Sequence, residues 1–183
     1  MILGSALGIA AGGRLGHVAE LRLRGWALLL LAVAVQLGLG WAPSPLRWAL
    51  VMVCCVSVAG WLVANLAHPG MRVALGLVLL GILANTVVIG ANEGMPVSAR
   101  ALVVSGRSAQ TDVAAGYLYK HTAMTARTEL AWLGDGLPIP IIEEVLSPGD
   151  VLMLVGIAGV ACAATRPRRL DGHRRLTTGA APA

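Results

Sequence analysis

Apolar runs separated by short polar connections fill the first 91 residues of the chain, and one more apolar run occupies residues 148–165. A helix needs about 20 apolar residues to cross a hydrocarbon core of about 30 Å. The runs therefore predict transmembrane helices over residues 26–41, 46–66 and 72–91, followed by a last one over residues 148–165.

The amino-terminal block of residues 1–13 is also apolar, but at about 1.5 Å per residue it reaches only about 20 Å. One face of a helix over this block would carry no side chains, because glycine recurs at Gly4, Gly8, Gly12 and Gly16. A neighbouring backbone can approach such a face closely. We therefore predict an all-α membrane protein, a bundle of five transmembrane helices, or of four if the first block is only re-entrant.

The polar interruption at residues 92–147 predicts a small folded cap between the last two helices, because so long a connection rarely lacks structure of its own. Within it, Ser98 is placed to cap a short helix that Gly106 ends. We expect a further helix over residues 121–133. Prolines make residues 137–142 extended, and this apolar stretch is expected either against the lipid headgroups or across the ends of the spans.

The last predicted helix has a well-marked start. Ser147 can cap it, Pro148 suits its first turn, and Asp150 supplies a carboxylate near the free backbone N–H groups. These three local signals together fix where the cap ends and the last span begins.

Composition and charge place the chain in a lipid bilayer, since 57% of its residues are hydrophobic and only 13% are charged. The net charge of +5 comes from arginines beside apolar runs, which indicates membrane topology and no nucleic-acid partner. Basic residues favour the cytoplasmic side. The connections near Arg14, Arg24 and Arg72 and the basic tail of residues 166–183 are therefore predicted in the cytoplasm, with residues 92–147 outside it.

The side chains best suited to chemistry lie in or next to the predicted cap: His121, Glu129, Asp135 and Asp150. A histidine and carboxylates at a membrane surface can perform acid/base chemistry or hold a metal. Each also has a structural alternative: His121 as an interfacial residue, Glu129 as part of a helix surface, Asp135 as a turn residue and Asp150 as a helix cap. Their spacing matches no metal-ligand template, so no metal is predicted. The sequence also contains no zinc-protease, nucleophile-elbow or phosphate-loop motif, which favours a noncatalytic role.

Two amides lie inside predicted spans, where Gln36 and Asn85 sit roughly 7 to 10 Å from the same membrane face. Pairing across helices would satisfy both amides, whose burial in hydrocarbon otherwise costs free energy. The alternative is that they contribute to a ligand site. No charged residue lies in the middle of a span, so an ion-coupled transporter would lack its usual groups, and no cofactor is expected.

Several stretches taken together resemble a known family. They are Asn92-Glu93-Gly94-Met95-Pro96-Val97-Ser98, Thr128-Glu129-Leu130 leading into Leu133-Gly134-Asp135 and then Ile139-Pro140, Ser147-Pro148-Gly149-Asp150-Val151, and the amino-terminal Gly12-Gly13-Arg14-Leu15 and Arg24-Gly25-Trp26. This combination resembles the bacterial domain of unknown function 5317 family over most of the chain. The resemblance implies a small multi-pass protein of the bacterial plasma membrane, and it implies no activity and no catalytic residue.

Two functional hypotheses follow. The first is a noncatalytic accessory or assembly subunit of a membrane or cell-envelope complex, with a protein partner in the membrane, because packing surface is abundant and catalytic motifs are absent. The second is an envelope enzyme or lipid-binding protein that uses the four cap residues over a cleft near Gln36 and Asn85. A separation of more than about 10 Å between His121 and Asp135 would count against the second.

Overall fold

The computed structural model describes residues 23–68, 70–107 and 121–165. In chain order, the helices and strands of that part are α1 (Trp26–Gly38), α2 (Ser44–Asn65), α3 (Arg72–Asn92), β1 (Met95–Val97), α4 (Ala99–Val104), β2 (His121–Ala123), β3 (Leu137–Ile139), β4 (Glu144–Leu146) and α5 (Pro148–Thr165). Short 3-10 helices lie at Leu39–Trp41, Ala131–Leu133 and Pro140–Ile142. The described chain is therefore mostly helical. The predicted first helix, with its glycine face, and the predicted basic tail lie outside the described residues.

Three of the described helices are long and apolar enough to cross a membrane. They are Pro45–Asn65 within α2, Arg72–Asn92 and Pro148–Thr165, with mean hydropathies of 2.0, 2.4 and 1.6. A shorter apolar helix covers Trp26–Trp41. The positions of these helices agree with the apolar runs of the sequence, whereas the predicted count of five spans stays a prediction.

Helices α3 and α5 make the most extensive contact between described elements. Glycines on the facing sides permit it. A Cβ added at Gly81 would touch the carbonyl oxygen of Gly149, and one added at Gly156 would lie 2.7 Å from the carbonyl oxygen of Ala74. The two backbones are therefore in direct contact, which is how helices associate where lipid supplies no hydrophobic driving force.

Farther along the same helices, α2 completes the packing. A buried cluster joins Leu62 of α2, Leu75 and Val78 of α3, and Ala164 of α5. This cluster and the glycine contact hold α3 and α5 in one relative position, so side chains at their other ends meet in a defined arrangement.

Residues 93–147, the connecting segment, contain two small sheets in their described part. Strand β1 pairs in parallel with β2, with Met95 opposite His121, and β3 pairs antiparallel with β4. A further bridge joins Val97 to Asp135. The buried cluster of this segment consists of Val97, Ala101, Leu102 and Val145.

These strands correct the all-α prediction. All three residues of β1 are buried, and buried backbone N–H and C=O groups need hydrogen-bond partners. Strand β2 and the residues around Asp135 supply these partners: Met124 N–H donates to Val97 at 3.0 Å, and Asp135 N–H donates to Pro96 at 2.8 Å. A helix over the same residues would leave β1 unpaired.

The predicted helix over residues 121–133 is accordingly wrong. After β2, Thr128 Oγ1 accepts a hydrogen bond from the Thr125 N–H at 2.8 Å, and Thr125 Oγ1 accepts one from the Arg127 N–H at 3.2 Å. Threonine side chains that bond nearby backbone groups compete with helix formation. This turn and the strand pairing together replace the helix.

Other local predictions for the connecting segment are confirmed in part. Ser98 caps α4, with its Oγ accepting from the Ala101 N–H at 3.4 Å, and Gly106 follows the helix with a φ of 88°. Leu137–Ile139 is extended as predicted, but Pro140–Ile142 turns into a 3-10 helix. Ile141 is 95% exposed, so the ends of the spans do not cover that residue.

Candidate functional site

The first turn of α5 forms a closed pair of reciprocal hydrogen bonds. Ser147 Oγ accepts from the Asp150 N–H at 3.0 Å, and Asp150 Oδ2 accepts from the Ser147 N–H at 2.9 Å. This reciprocal arrangement is a capping box, which satisfies backbone donors that a helix start would leave free. The predicted helix start at Ser147 is therefore confirmed, and Asp150 is held rigidly by it.

Asn85 of α3 extends this network across the helix interface. Its Nδ2 donates to Asp150 Oδ1 at 2.9 Å, and its Oδ1 lies 3.1 Å from Ser147 Oγ. The Ser147 hydroxyl also lies 2.8 Å from Asp150 Oδ2, and its single hydrogen can be donated to only one of the two oxygens at a time. Both carboxylate oxygens of Asp150 therefore have hydrogen-bond partners.

Gly149 makes this approach possible. A Cβ at that position would overlap Asn85 Oδ1 and would lie 2.8 Å from the carbonyl oxygen of Gly81. Glycine at this point of α5 thus lets the Asn85 amide reach the helix start. The sequence places a glycine between Pro148 and Asp150, but no local sequence pattern predicts that this glycine contacts the Asn85 side chain.

Asp135 reaches the same region from the connecting segment. Its backbone is fixed against β1, because its N–H donates to the Pro96 carbonyl at 2.8 Å and its carbonyl accepts from the Ser98 N–H at 2.9 Å. The preceding residue must be small, since a Cβ at Gly134 would lie 2.6 Å from the Pro96 carbonyl oxygen. The Asp135 side chain is consequently placed by backbone contacts on both sides.

His121 and Asp135 form a pair, with Nε2 of the histidine 3.3 Å from Oδ2 of the aspartate. Asp135 is only 3% exposed. Its other oxygen, Oδ1, is buried and has no hydrogen-bond partner among the described residues. Buried polar atoms almost always have partners, so an unbonded carboxylate oxygen marks a place where a donor from outside the described residues fits.

The environment of Asp135 also shifts its protonation. Burial raises the pKa of the Asp135 carboxyl above its ordinary value, and the hydrogen bond and charge of His121 oppose that rise. The negative charges of Asp150 and Glu144 raise the pKa further. The protonation of Asp135 is therefore open to change by a ligand that binds beside it.

A cavity of about 170 Å³ joins these groups. Its polar wall consists of Asn85, His121, Asp135 and Asp150. Its apolar wall consists of Val51 of α2, Ile89 of α3 and Met95 of β1. The cavity therefore lies where the ends of α2, α3 and α5 meet the connecting segment.

The structure brings together three of the four predicted cap residues. His121, Asp135 and Asp150 all line the cavity, whereas Glu129 is exposed and is not part of the lining. The backbone of Glu129 has a different role: its N–H donates to Asn92 Oδ1 at 3.0 Å and its carbonyl accepts from Asn92 Nδ2 at 2.9 Å. This clamp fastens the connecting segment to the end of α3.

The predicted pairing of Gln36 with Asn85 does not occur. Gln36 is exposed on α1, and the Asn85 amide bonds to Asp150 instead. Similar depth in two spans gives no information about which helix faces meet, and the α3–α5 contact determines the partner of Asn85. As a ligand-site residue, Asn85 lines the cavity and Gln36 does not.

Sequence reasoning missed the second contact of Ser147 and the clamp by Asn92. The helix-capping signal had identified Ser147, but its approach to Asn85 is a tertiary contact. Asn92 stands at the end of an apolar run directly before Glu93 and Gly94. An asparagine at such a boundary is a recognisable signal for a side chain that bonds the backbone.

The chemical capacity of the site follows from these positions. A histidine beside a buried carboxyl group can transfer a proton, and the unbonded Asp135 oxygen can accept a hydrogen bond from a ligand. Among the described residues, no group of three or more His, Cys, Asp or Glu side chains is arranged to hold a metal ion. The arrangement therefore fits a ligand that carries hydrogen-bond donors.

A model of a family described as "Family of unknown function (DUF5317)" matches residues 20–162 of the chain. No curated protein matches the chain, and no solved structure does.

Proposed function

The chain belongs to the DUF5317 family, a family of unknown function, and from that premise we propose that it is an integral membrane protein that binds a small polar ligand at the membrane surface. The site is the cavity between the connecting segment and the ends of α2, α3 and α5. The arginine-rich connections of the sequence support a placement of this segment outside the cytoplasm. The protein is then a plasma-membrane component whose site faces the cell envelope.

One observation carries the proposal: a buried carboxylate oxygen that has no partner in the described part of the chain lies on a residue that lines a cavity. Asp135 Oδ1 is that oxygen. An unsatisfied buried acceptor costs roughly 1–3 kcal/mol, and more when it is charged, so a ligand that donates a hydrogen bond to this oxygen would remove that cost.

The location supports a ligand that approaches from the lipid–water boundary. Asn85 lies on a helix long and apolar enough to cross the membrane, and Asp150 lies in the first turn of another. A lipid headgroup or a small envelope metabolite would reach the cavity there. The His121–Asp135 pair can also transfer a proton in this site, which is what an enzyme acting on the bound ligand would need.

Filling the cavity tests the proposal. Val51→Trp adds a large side chain to the apolar wall, and Val56→Trp is its matched control, because Val56 is an exposed valine on the same helix. Native mass spectrometry after extraction in mild detergent measures what each protein retains. We expect a small molecule or lipid to remain with the wild type and with Val56→Trp, and to be lost from Val51→Trp.

Equal retention by the two tryptophan variants would contradict the proposed site. A wild type that carries no ligand from its native membrane, and binds none when lipids and small metabolites are added back, would contradict the proposed function itself.

A second candidate, the accessory or assembly subunit, is supported by a different observation. The connecting segment exposes large apolar side chains, with Trp132 72% and Ile141 95% exposed. Exposed apolar groups of this size indicate a protein or membrane contact. For a partner bound through them, Trp132→Ser with Ile141→Ser should release a stoichiometric protein that co-purifies with the wild type, and a wild type purified without any such protein would contradict this candidate.

A further inference from the structure

The two aspartates of the cavity differ in how many of their carboxylate oxygens are hydrogen-bonded. Asp150 has partners on both oxygens, from Asn85 and from the first turn of α5. Asp135 has one oxygen beside His121 and one with no partner among the described residues. The lining of the cavity therefore includes one carboxyl group with an oxygen that is unpartnered among the described residues, beside a second carboxylate whose oxygens are both bonded.

We propose that the cavity binds a primary ammonium group, which donates a hydrogen bond to Asp135 Oδ1 and is attracted by the carboxylate of Asp150. This inference rests on the proposed function and specifies the chemistry of its ligand. A primary ammonium has hydrogen-bond donors and no acceptor. It therefore complements the unpartnered acceptor that the buried Asp135 carboxylate contributes to this wall.

Other charged ligands fit this wall less well. An anion would meet the carboxylates of Asp135 and Asp150 and gain no free donor from Asp150, whose oxygens only accept. A quaternary ammonium has no N–H to donate and is usually held by an aromatic cage, whereas Val51, Ile89 and Met95 form the apolar wall of this cavity. A hydrogen-bonding cation therefore matches the site best.

The size of the cavity suits a short amine. A water molecule needs about 10–15 Å³ of such a space, so about 170 Å³ accommodates a fragment of several non-hydrogen atoms. Sites for larger organic molecules are usually about 300–1,000 Å³. Ethanolamine has this size and chemistry, either as the free amine or as the headgroup of phosphatidylethanolamine.

Binding of a cation is linked to the protonation of Asp135. The ammonium favours the ionised carboxylate, so it is expected to bind more weakly as the pH falls and Asp135 becomes protonated. The titratable groups that act on Asp135 are His121 on β2, Asp150 on α5 and Glu144 on β4.

The experiment uses the full chain in nanodiscs of phosphatidylcholine, with calorimetric titration of ethanolamine and, separately, of choline. Ethanolamine should bind, and choline should bind at least about tenfold more weakly, because choline cannot donate the charge-assisted hydrogen bond that a primary ammonium donates. Asp135→Asn should weaken ethanolamine binding by a similar factor. Glu129→Gln is the matched control, since Glu129 is exposed and outside the cavity, and it should bind as the wild type does.

A second arm separates the two sources of the amine. Native mass spectrometry of the chain in mixed phosphatidylethanolamine and phosphatidylcholine shows whether the ethanolamine lipid is retained selectively. Selective retention, lost on Val51→Trp, assigns the headgroup as ligand, whereas binding of the free amine without lipid selectivity assigns a soluble amine. Both results support the ammonium site.

Equal binding of choline and ethanolamine by the wild type would overturn the inference, and this comparison needs no variant to fold. If the wild type instead binds an anionic or uncharged small molecule that Val51→Trp excludes, the ammonium inference fails while the proposed function stands. If nothing binds in the cavity, both fail.

Discussion

Asp135 and Asp150 line the same cavity, yet the protein uses them differently. Asp150 belongs to a local helix start, and every oxygen of its carboxylate is bonded within the chain. Asp135 is positioned by strand contacts, is nearly fully buried, and keeps one oxygen without a partner among the described residues. A carboxylate whose two oxygens are both hydrogen-bonded within the chain stabilises the fold, whereas a carboxylate with an unbonded oxygen is available to a ligand.

The largest expected effect comes from separating α5 from Asn85. Gly149→Ala introduces a Cβ that overlaps Asn85 Oδ1, so the helices must move apart or the amide must leave Asp150. We expect a loss of about 1–3 kcal/mol in the free energy of unfolding, measured by denaturant or thermal unfolding in detergent.

Gly76→Ala on α3 is the control for that substitution. Its Cβ would lie 3.9 Å from the nearest side-chain atom, Leu66 Cδ1, so it should leave stability unchanged or raise it by up to about 1 kcal/mol. Similar losses for the two glycine substitutions would contradict the assigned contact between Gly149 and Asn85.

An effect of similar size tests the structural role of Asp150. Asp150→Ala removes the acceptor for Asn85 Nδ2 and for the Ser147 N–H. Unsatisfied buried donors cost roughly 1–3 kcal/mol, so the unfolding free energy should fall by about that amount. A variant as stable as the wild type would show that water replaces Asp150, and the contrast between the two aspartates would be lost.

The smallest expected effect is a gain in the free energy of unfolding, whereas the two effects above are losses. The pKa of the Asp135 carboxyl group is raised in the folded state. This group therefore stabilises the folded protein at a pH below its pKa in the unfolded chain, and that stabilisation is lost as the pH rises through its pKa in the folded protein. Asp135→Asn should remove this loss. In unfolding measurements from acid to neutral pH, the variant should gain stability relative to the wild type as the pH rises, and a difference that is constant with pH would contradict the raised pKa.

The features that were predictable from sequence are local ones. Apolar runs located α2, α3 and α5, and the Ser147 and Asp150 spacing located the start of α5, because each signal lies within one element. Ser98 capped α4 for the same reason. Such patterns act through neighbouring residues and need no knowledge of the fold.

The features that were not predictable depend on distant residues. Strand β2 forms because β1 needs a partner, and no periodicity within residues 121–133 reveals that pairing. Asn85 finds Asp150 rather than Gln36 because Gly149 lets α5 approach α3. The grouping of His121 with Asp135 was anticipated only from their common side of the membrane, and the same reasoning placed Glu129 with them although it faces away.

Infrared titration of the Asp135 carboxyl group tests the ligand site most directly, with Asp135→Asn used to identify the band. In the wild type, ethanolamine is predicted to lower the pKa of Asp135, so that the protonated carboxyl band disappears at a lower pH than in its absence, while choline leaves the titration unchanged. A titration of Asp135 that is the same with ethanolamine, with choline and with neither would contradict the assignment of its free oxygen to a bound ammonium.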